Sequence, residues 1–231
     1  LTPEGKNRIM KYVSTRDTSA SPVEVFAAEA IKKGLAPDRG LYMPTSIPSL
    51  TEENISALCA LPYEVRACEI LSMFLTDYDK EKLLADCTEA YSDSRFPGGA
   101  APVVHIGDGI YSLELWHGPT CAFKDMALQI MPRLLSSALK MTGEEKKAHI
   151  LVATSGDTGK AALEGFLDVP GTRCCVFYPD GGVSQAQRLQ MVTTGGSNTH
   201  VIAVKGNFDD AQTGVKRILS DPAFAAKMDE Q

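Results

Sequence analysis

The sequence of 231 residues lacks the patterns that mark several classes of protein. It has no Cys-x-x-Cys pair, and its four histidines are too scattered to suggest zinc ligands. No apolar stretch approaches the roughly 18 residues of a membrane span, and the N-terminus has no hydrophobic signal-peptide core. Internal repeats and low-complexity tracts are also missing. We therefore expect no metal and no membrane partner, and free cysteines in a reducing, cytoplasmic environment.

Runs of positive charge are missing as well. The net charge is -6, and no basic cluster exceeds the Lys pair in the EEKK patch that ends at Lys147. Such a chain offers nucleic acid no continuous basic surface, so a nucleic-acid partner is disfavoured. With 44% hydrophobic and 23% charged residues, the chain is long and apolar enough to form a globular protein of more than one structural unit.

Three zones follow one another along the chain. Residues 1–9 are polar and precede Met10, and we expect them to be a leader or a cloning remnant. Residues 10–97 carry apolar positions at mostly helical spacing, and the Pro-Gly-Gly break at 97–99 suggests a boundary. In residues 98–231 the pattern changes to strands, turns and helices.

This last zone predicts an α/β fold. The runs HILVAT, RCCVFYP and HVIAVKG are short, apolar and rich in branched residues, and an amphipathic segment follows each one. Strands that alternate with helices imply a parallel sheet covered on both faces. Ahead of them, VVHIGDGIYSLEL predicts a hairpin, and KDMALQIMPRLLSSALK predicts a helix that Pro132 bends.

The run TSGDTG, residues 154–159, stands where the first of these strands gives way to its helix. Ligands of parallel sheets bind at this edge, and glycines, hydroxyls and first-turn amides suit a carboxylate or phosphate. An ordinary helix N-cap would use the same residue types. A P-loop or a dinucleotide fingerprint is excluded, because each needs glycine where Thr154 stands.

Lys124 is the second candidate, in the run HGPTCAFKD. Phe123 supplies an apolar neighbour that would help to desolvate the amine, as an imine-forming lysine requires, and the small turn before it leaves room for a planar ring. The alternative is a solvated lysine at a helix start. His117 is a weaker candidate, better read as a wall or capping residue.

Five blocks give the sequence a family resemblance. MKYVSTR, GLAPDRGLYMP, LELWHGPTCAFKD, VATSGDTGKAA and YPDGGVSQAQRLQM, in this order, closely resemble the threonine synthases of the bacterial and fungal type. The resemblance runs from Met10 to the last residue. It implies a fold-type II pyridoxal-phosphate (PLP) enzyme, similar to the tryptophan synthase β subunit. It also implies a mostly helical N-terminal domain over residues 10–97 and the first half of the PLP domain over residues 98–231. Because family members continue further, we expect the rest of the PLP domain to lie beyond Gln231.

The resemblance also implies roles for single residues. Lys124 matches the lysine that holds PLP covalently and then moves protons, and Phe123 and Asp157 would lie beside the cofactor. The substrate carboxylate would be bound by Thr154, Ser155, Gly156, Asp157 and Thr158. Lys160 and Arg188 are further candidates for gathering positive charge near an anionic substrate.

The implied reaction converts O-phospho-L-homoserine and water to L-threonine and inorganic phosphate. Two alternatives stay open: a related phospholyase that releases 2-oxobutyrate, and a non-catalytic α/β fragment. The sequence does not distinguish a monomer from a homodimer.

Overall fold

The computed structural model describes residues 9–229. The predicted leader, residues 1–9, therefore lies outside the described residues except for Ile9. The chain divides into two compact units. The first comprises residues up to Ala101 together with Arg133–Glu144, and the second comprises Pro102–Pro132 and the chain from Glu145 onward. The predicted domains, by contrast, meet at residues 97 and 98, and they stay a prediction.

The elements follow one another along both units. In chain order they are β1 (Tyr12–Ser14), α1 (Ala27–Lys33), β2 (Tyr42–Pro44), α2 (Glu52–Cys59), α3 (Tyr63–Phe74), α4 (Lys80–Ala90), β3 (Val103–Gly107), β4 (Ile110–Leu113), α5 (Asp125–Leu128), α6 (Met131–Met141), β5 (Ala148–Ala153), α7 (Asp157–Gly165), β6 (Thr172–Pro179), α8 (Gln185–Val192), β7 (Thr199–Val204), α9 (Phe208–Ser220) and α10 (Pro222–Asp229).

The first unit is mostly helical, with one small sheet. Strands β1 and β2 pair antiparallel, with Val13 opposite Met43. Asp79 caps the N-terminus of α4, because its side chain accepts a hydrogen bond from the Lys82 amide. The Tyr78 hydroxyl donates to the Leu134 carbonyl of α6 at 3.0 Å. This bond joins helix α6 to residues more than fifty positions earlier in the chain.

The predicted long helix over residues 124–140 is in fact two helices, α5 and α6. Pro132 is the second residue of α6. Proline has no N–H to donate to the carbonyl of the preceding turn, and its ring collides with that turn. It is tolerated in the first turn of a helix, so a new helix starts here instead of a bent one continuing.

The second unit confirms the predicted α/β arrangement. The hairpin is formed by β3 and β4, which pair antiparallel with a register shift between His105 and Gly107. Within the described residues, β5, β6 and β7 form a parallel sheet with β6 in the centre. Along β6, buried side chains alternate with more exposed ones, and Cys174 and Val176 are fully buried. Each strand is followed by a helix (α7, α8 and α9, respectively), so the three strand ends and helix starts share one edge of the sheet.

Candidate active site

The loop between β5 and α7 is organised by Thr154. Its side chain is 2% exposed. The hydroxyl accepts hydrogen bonds from the amides of Gly156 at 3.0 Å and Gly159 at 2.9 Å, and it donates to the Gly156 carbonyl at 3.1 Å. These bonds fold the chain back on itself before α7 begins. The hydroxyl is thus committed to the loop, and a substrate contact from Thr154 stays a prediction.

Two glycines of this loop have no room for a side chain. Gly156 has φ +148°, which other residues rarely adopt, and an added Cβ would lie 2.3 Å from Nε2 of Gln187. At Gly159 an added Cβ would lie 2.5 Å from Cγ2 of Thr154 and 2.7 Å from Cγ1 of Val176. The glycines therefore allow α7 to start close against the sheet.

Other polar groups of the loop remain accessible. Ser155 and Asp157 are exposed and Thr158 is half-buried. Within the described part of the chain, the hydroxyls of Ser155 and Thr158 have no hydrogen-bond partner. Asp157 and Thr158 are the first two residues of α7, where backbone amides point out of the helix end. Such a set of donors suits an anionic group such as a carboxylate.

Lys124 lies directly before α5, and its amine contacts Phe123. The Nζ atom is 4.2 Å from the centroid of the Phe123 ring. The ring itself is 62% exposed. A cation above a ring face is attracted by the ring, so this contact helps to hold the Lys124 side chain beside Phe123. Lys124 itself is half-buried. The expectation that Phe123 helps to desolvate its amine stays a prediction.

Asp125, which the sequence analysis did not single out, anchors the turn before Lys124. It is fully buried. Its carboxylate accepts hydrogen bonds from the amide and the hydroxyl of Thr120, both at 2.8 Å. An added Cβ at Gly118 would lie 2.5 Å from Cβ of Asp125, so the small turn makes room for the carboxylate. Burial raises the pKa of Asp125 more than the Thr120 hydrogen bonds lower it. The buried carboxylate fixes the backbone on which Lys124 stands.

The two motifs lie in the same compact unit, on helices that pack together. Helix α5 contacts α7, and an added Cβ at Gly165 would lie 1.9 Å from the Leu128 carbonyl oxygen. The structure thus combines a lysine at the start of α5 with a loop at the start of α7 whose donors suit an anion.

Two of the other candidate residues, Lys160 and His117, contact side chains outside the loop 154–159. The Lys160 amine donates to Glu164 at 2.9 Å and to the Thr194 hydroxyl at 3.0 Å, so its charge is already compensated. Arg188 is exposed on α8. His117 pairs with Glu114 at 2.7 Å and stacks on Trp116. These contacts give Lys160 and His117 structural partners.

Two kinds of feature are absent from the described residues. No group of three or more His, Cys, Asp or Glu side chains is arranged to hold a metal ion among residues 9–229. In the same part of the chain, no helix is long and apolar enough to cross a membrane.

The fold and the loop define an α/β protein with a candidate ligand site at the carboxyl edge of a parallel sheet. Comparison with known proteins shows which family the chain resembles. Residues 11–91 match the family described as "Threonine synthase N terminus". The threonine synthase of Pseudomonas aeruginosa is 39% identical over 219 residues, which cover 93% of this chain and 45% of that protein.

Solved structures give the same result for the fold. The crystal structure of PLP-bound threonine synthase from Brucella melitensis has a TM-score of 0.86 and 38% identity, covering 95% of this chain and 46% of that one. Threonine synthase from yeast has a TM-score of 0.83 and 34% identity, covering 93% and 44%. The chain thus corresponds to the N-terminal part of threonine synthases, as its motifs predicted. It spans less than half the length of these relatives.

Proposed function

We propose that the chain supplies the lysine and the carboxylate-binding loop of a PLP-dependent threonine synthase, which converts O-phospho-L-homoserine and water to L-threonine and phosphate. The observation that carries the proposal is the combination of Lys124 with the loop 154–159 in one compact unit. Similarity to a PLP-bound threonine synthase supports the choice of cofactor.

The residues present fit PLP and an amino-acid substrate. Lys124 supplies a primary amine that can link to the cofactor aldehyde, and Phe123 offers an exposed ring face beside it. When bound, the cofactor supplies an electron sink for carbanion chemistry. Lys124 would hold it and then move protons at the substrate carbon atoms. The carboxylate of Asp157 is an acceptor suited to a cofactor hydroxyl.

The same loop would hold the substrate carboxylate. Ser155 and Thr158 offer hydroxyl donors, Gly156 allows close approach, and the first-turn amides of α7 face outward. Thr154 would contribute through the loop shape that its hydroxyl maintains. Hydrogen bonds to a charged carboxylate contribute about 1.5–3 kcal/mol each.

Some finer features belong to the same proposal. We infer fold type II within the PLP enzymes and a cytoplasmic location, which the six unpaired cysteines support. The PLP domain would begin near residue 98. A phospholyase that releases 2-oxobutyrate would share these residues, so product analysis must separate the two reactions.

The test is to trap the lysine that binds PLP. Borohydride reduction of the complete enzyme with its bound PLP, followed by peptide mapping, should label Lys124 alone. The Lys124→Ala variant should lose the label, and the ion-paired Lys160→Ala variant should keep it. Label on a different lysine in the wild-type protein would sink the assignment. Assays of threonine, phosphate and 2-oxobutyrate from O-phosphohomoserine would then identify the reaction.

A further inference from the structure

One side chain from helix α8 reaches the loop that precedes α7. Gln187 is the third residue of α8, and its side-chain oxygen accepts a hydrogen bond from the Ser184 amide at 3.1 Å. In return, the Ser184 hydroxyl accepts from the Gln187 amide at 3.2 Å, which completes a capping box. The other end of the same side chain, Nε2, donates to Oδ1 of Asp157 at 2.9 Å. Gln187 therefore links the starts of two helices.

The amide group of Gln187 occupies the space beside Gly156. An added Cβ at Gly156 would lie 2.3 Å from Nε2 and 2.5 Å from Cδ of Gln187. The bridge to Asp157 thus depends on the glycine that also gives the loop its backbone conformation. The sequence places the two bridged residues thirty positions apart, and the neighbouring parallel strands β5 and β6 bring them together.

The capping box by itself does not require glutamine at this position. Glutamate serves equally well as the third residue of a capping box, because only its oxygen is used. Glutamate at position 187 would have no N–H for Asp157 and would instead set two carboxylates against each other. The donor end of Gln187 therefore has a purpose that helix capping does not explain.

We propose that Gln187 is a positioning residue of the candidate site, whose amide fixes the Asp157 carboxylate so that Oδ2 stays available to accept a hydroxyl of the cofactor. The nature of this ligand rests on the proposed function. The bridge between Gln187 and Asp157 stands on the structure alone.

The first experiment needs no ligand. The amides of Gly156 and Gly159 are hydrogen-bonded to Thr154, so their hydrogen exchange reports opening of the loop. Gln187→Glu keeps the capping oxygen and removes the donor, and it should speed exchange of both amides about tenfold. Ser184→Ala is the matched control: it weakens the cap of α8 but keeps the bridge, and exchange of the two loop amides should match wild type.

A partner swap tests whether the bridge is the cause. In an Asp157→Asn background the side chain at position 157 can donate to a carboxylate, so adding Gln187→Glu restores a donor–acceptor pair. The Gln187→Glu effect on exchange should be large when position 157 keeps its aspartate and absent in the Asp157→Asn background. Equal effects in both backgrounds would overturn the bridge.

The last arm uses PLP itself and the complete enzyme. Gln187→Glu should raise the PLP dissociation constant about tenfold and shift the absorption band of the bound cofactor, whereas Ser184→Ala should change neither. An unchanged constant and spectrum in Gln187→Glu would overturn the positioning role. Failure of the complete wild-type enzyme to bind PLP would instead count against the proposed function, and the ligand-free exchange data would still decide whether the bridge exists.

Discussion

Single polar groups in the loop 154–159 differ in whether their hydrogen bonds are already made. The Thr154 hydroxyl is buried and makes three hydrogen bonds. The hydroxyls of Ser155 and Thr158 remain accessible. An engaged buried group stabilises the fold, and an accessible one is free to bind a ligand. Residues of similar chemistry therefore divide into a structural set and a candidate binding set.

This division predicts opposite results for neighbouring substitutions. Thr154→Val should lower the free energy of unfolding by about 1–3 kcal/mol, because it leaves the amides of two glycines without their acceptor. Ser155→Ala and Thr158→Val should leave stability within about 0.5 kcal/mol. In the active enzyme these two variants should raise KM for O-phosphohomoserine roughly tenfold, since each removes a donor to its carboxylate. Urea unfolding measures the changes in stability, and steady-state kinetics measures the changes in KM. Unchanged KM in both variants would refute the loop's binding role.

Asp125 makes a prediction about pH. Its pKa is raised above the ordinary value of 3.8, mainly by burial. At pH values between 3.8 and the raised pKa, Asp125 is protonated in the folded protein but ionised in the unfolded chain. The contribution of Asp125 to stability therefore falls as pH rises through this window. Relative to Asp125→Asn, the wild-type protein should therefore gain stability as pH falls through this window. Urea unfolding across the acid range measures the difference.

Asp168 provides the control of opposite sign. Hydrogen bonds from Ser197 lower the pKa of this exposed carboxyl below 3.8. Its stabilising contribution is present above the unfolded value and is lost as pH falls through the lowered pKa. Relative to Asp168→Asn, the wild-type protein should thus lose stability on acidification. If both aspartates changed stability with pH in the same direction, the opposite pKa shifts of Asp125 and Asp168 would be contradicted.

Two helical glycines of the second unit differ in whether a neighbouring helix packs closely against them. Gly165 ends α7, where an added Cβ would lie 1.9 Å from the Leu128 carbonyl oxygen of α5. Gly214 lies inside α9, where an added Cβ meets no atom of the described residues within 4 Å. The packing of α5 against α7, which carry the two candidate motifs, requires the first glycine.

Alanine substitutions should separate these two cases. Gly214→Ala should raise the free energy of unfolding by about 0.5–1 kcal/mol, because alanine favours a helix over glycine. Gly165→Ala should lower it by about 1–3 kcal/mol, because the new methyl group forces α5 and α7 apart. Thermal unfolding of both variants checks the pair. If Gly165→Ala also stabilised the protein, the close approach would be refuted.

The strands were predictable from sequence because their signal is local. Runs rich in branched residues, each followed by an amphipathic segment, predicted the parallel strands that the structure shows at Ala148–Ala153, Thr172–Pro179 and Thr199–Val204. The Lys124 and TSGDTG motifs were found by their chemistry in the same way, and their roles stay predictions.

Long-range contacts were not predictable from one sequence. The Ser-x-x-Gln pattern at 184–187 indicates a capping box, but nothing local shows that Gln187 also reaches Asp157. The burial of Asp125 was likewise missed, since a charged residue beside lysine ordinarily indicates a solvated helix start. Both depend on backbone placement that only the folded chain fixes.

The first unit includes a helix, α6, that comes from a distant part of the sequence. Helix α6 follows the hairpin and α5 in sequence, yet Arg133–Glu144 group with the residues up to Ala101. Four apolar residues on one face of α6 are buried: Leu134, Leu135, Ala138 and Leu139. The family match ends at residue 91, well before this helix. The first unit therefore needs a segment that lies far outside that match.

A dissection of the chain tests this dependence. Each buried leucine contributes about 1.5–3 kcal/mol, and a domain as a whole is stable by only about 5–15 kcal/mol. Without α6, residues 1–101 lose three buried leucines and the hydrogen bond from Tyr78 to Leu134. We expect this segment alone to bind the dye ANS and to unfold without a cooperative transition.

Joining residues 1–101 to residues 131–144 through a flexible Gly/Ser linker should restore cooperative urea unfolding, because it returns the apolar face of α6 to its unit. A linked variant in which Leu135 and Leu139 are replaced by Ser serves as the matched control, and it should behave like the segment without α6. Near-UV circular dichroism and urea titration distinguish these states. If residues 1–101 alone unfolded cooperatively at the same urea midpoint as the linked form, α6 would be dispensable and its assignment to the first unit would be wrong.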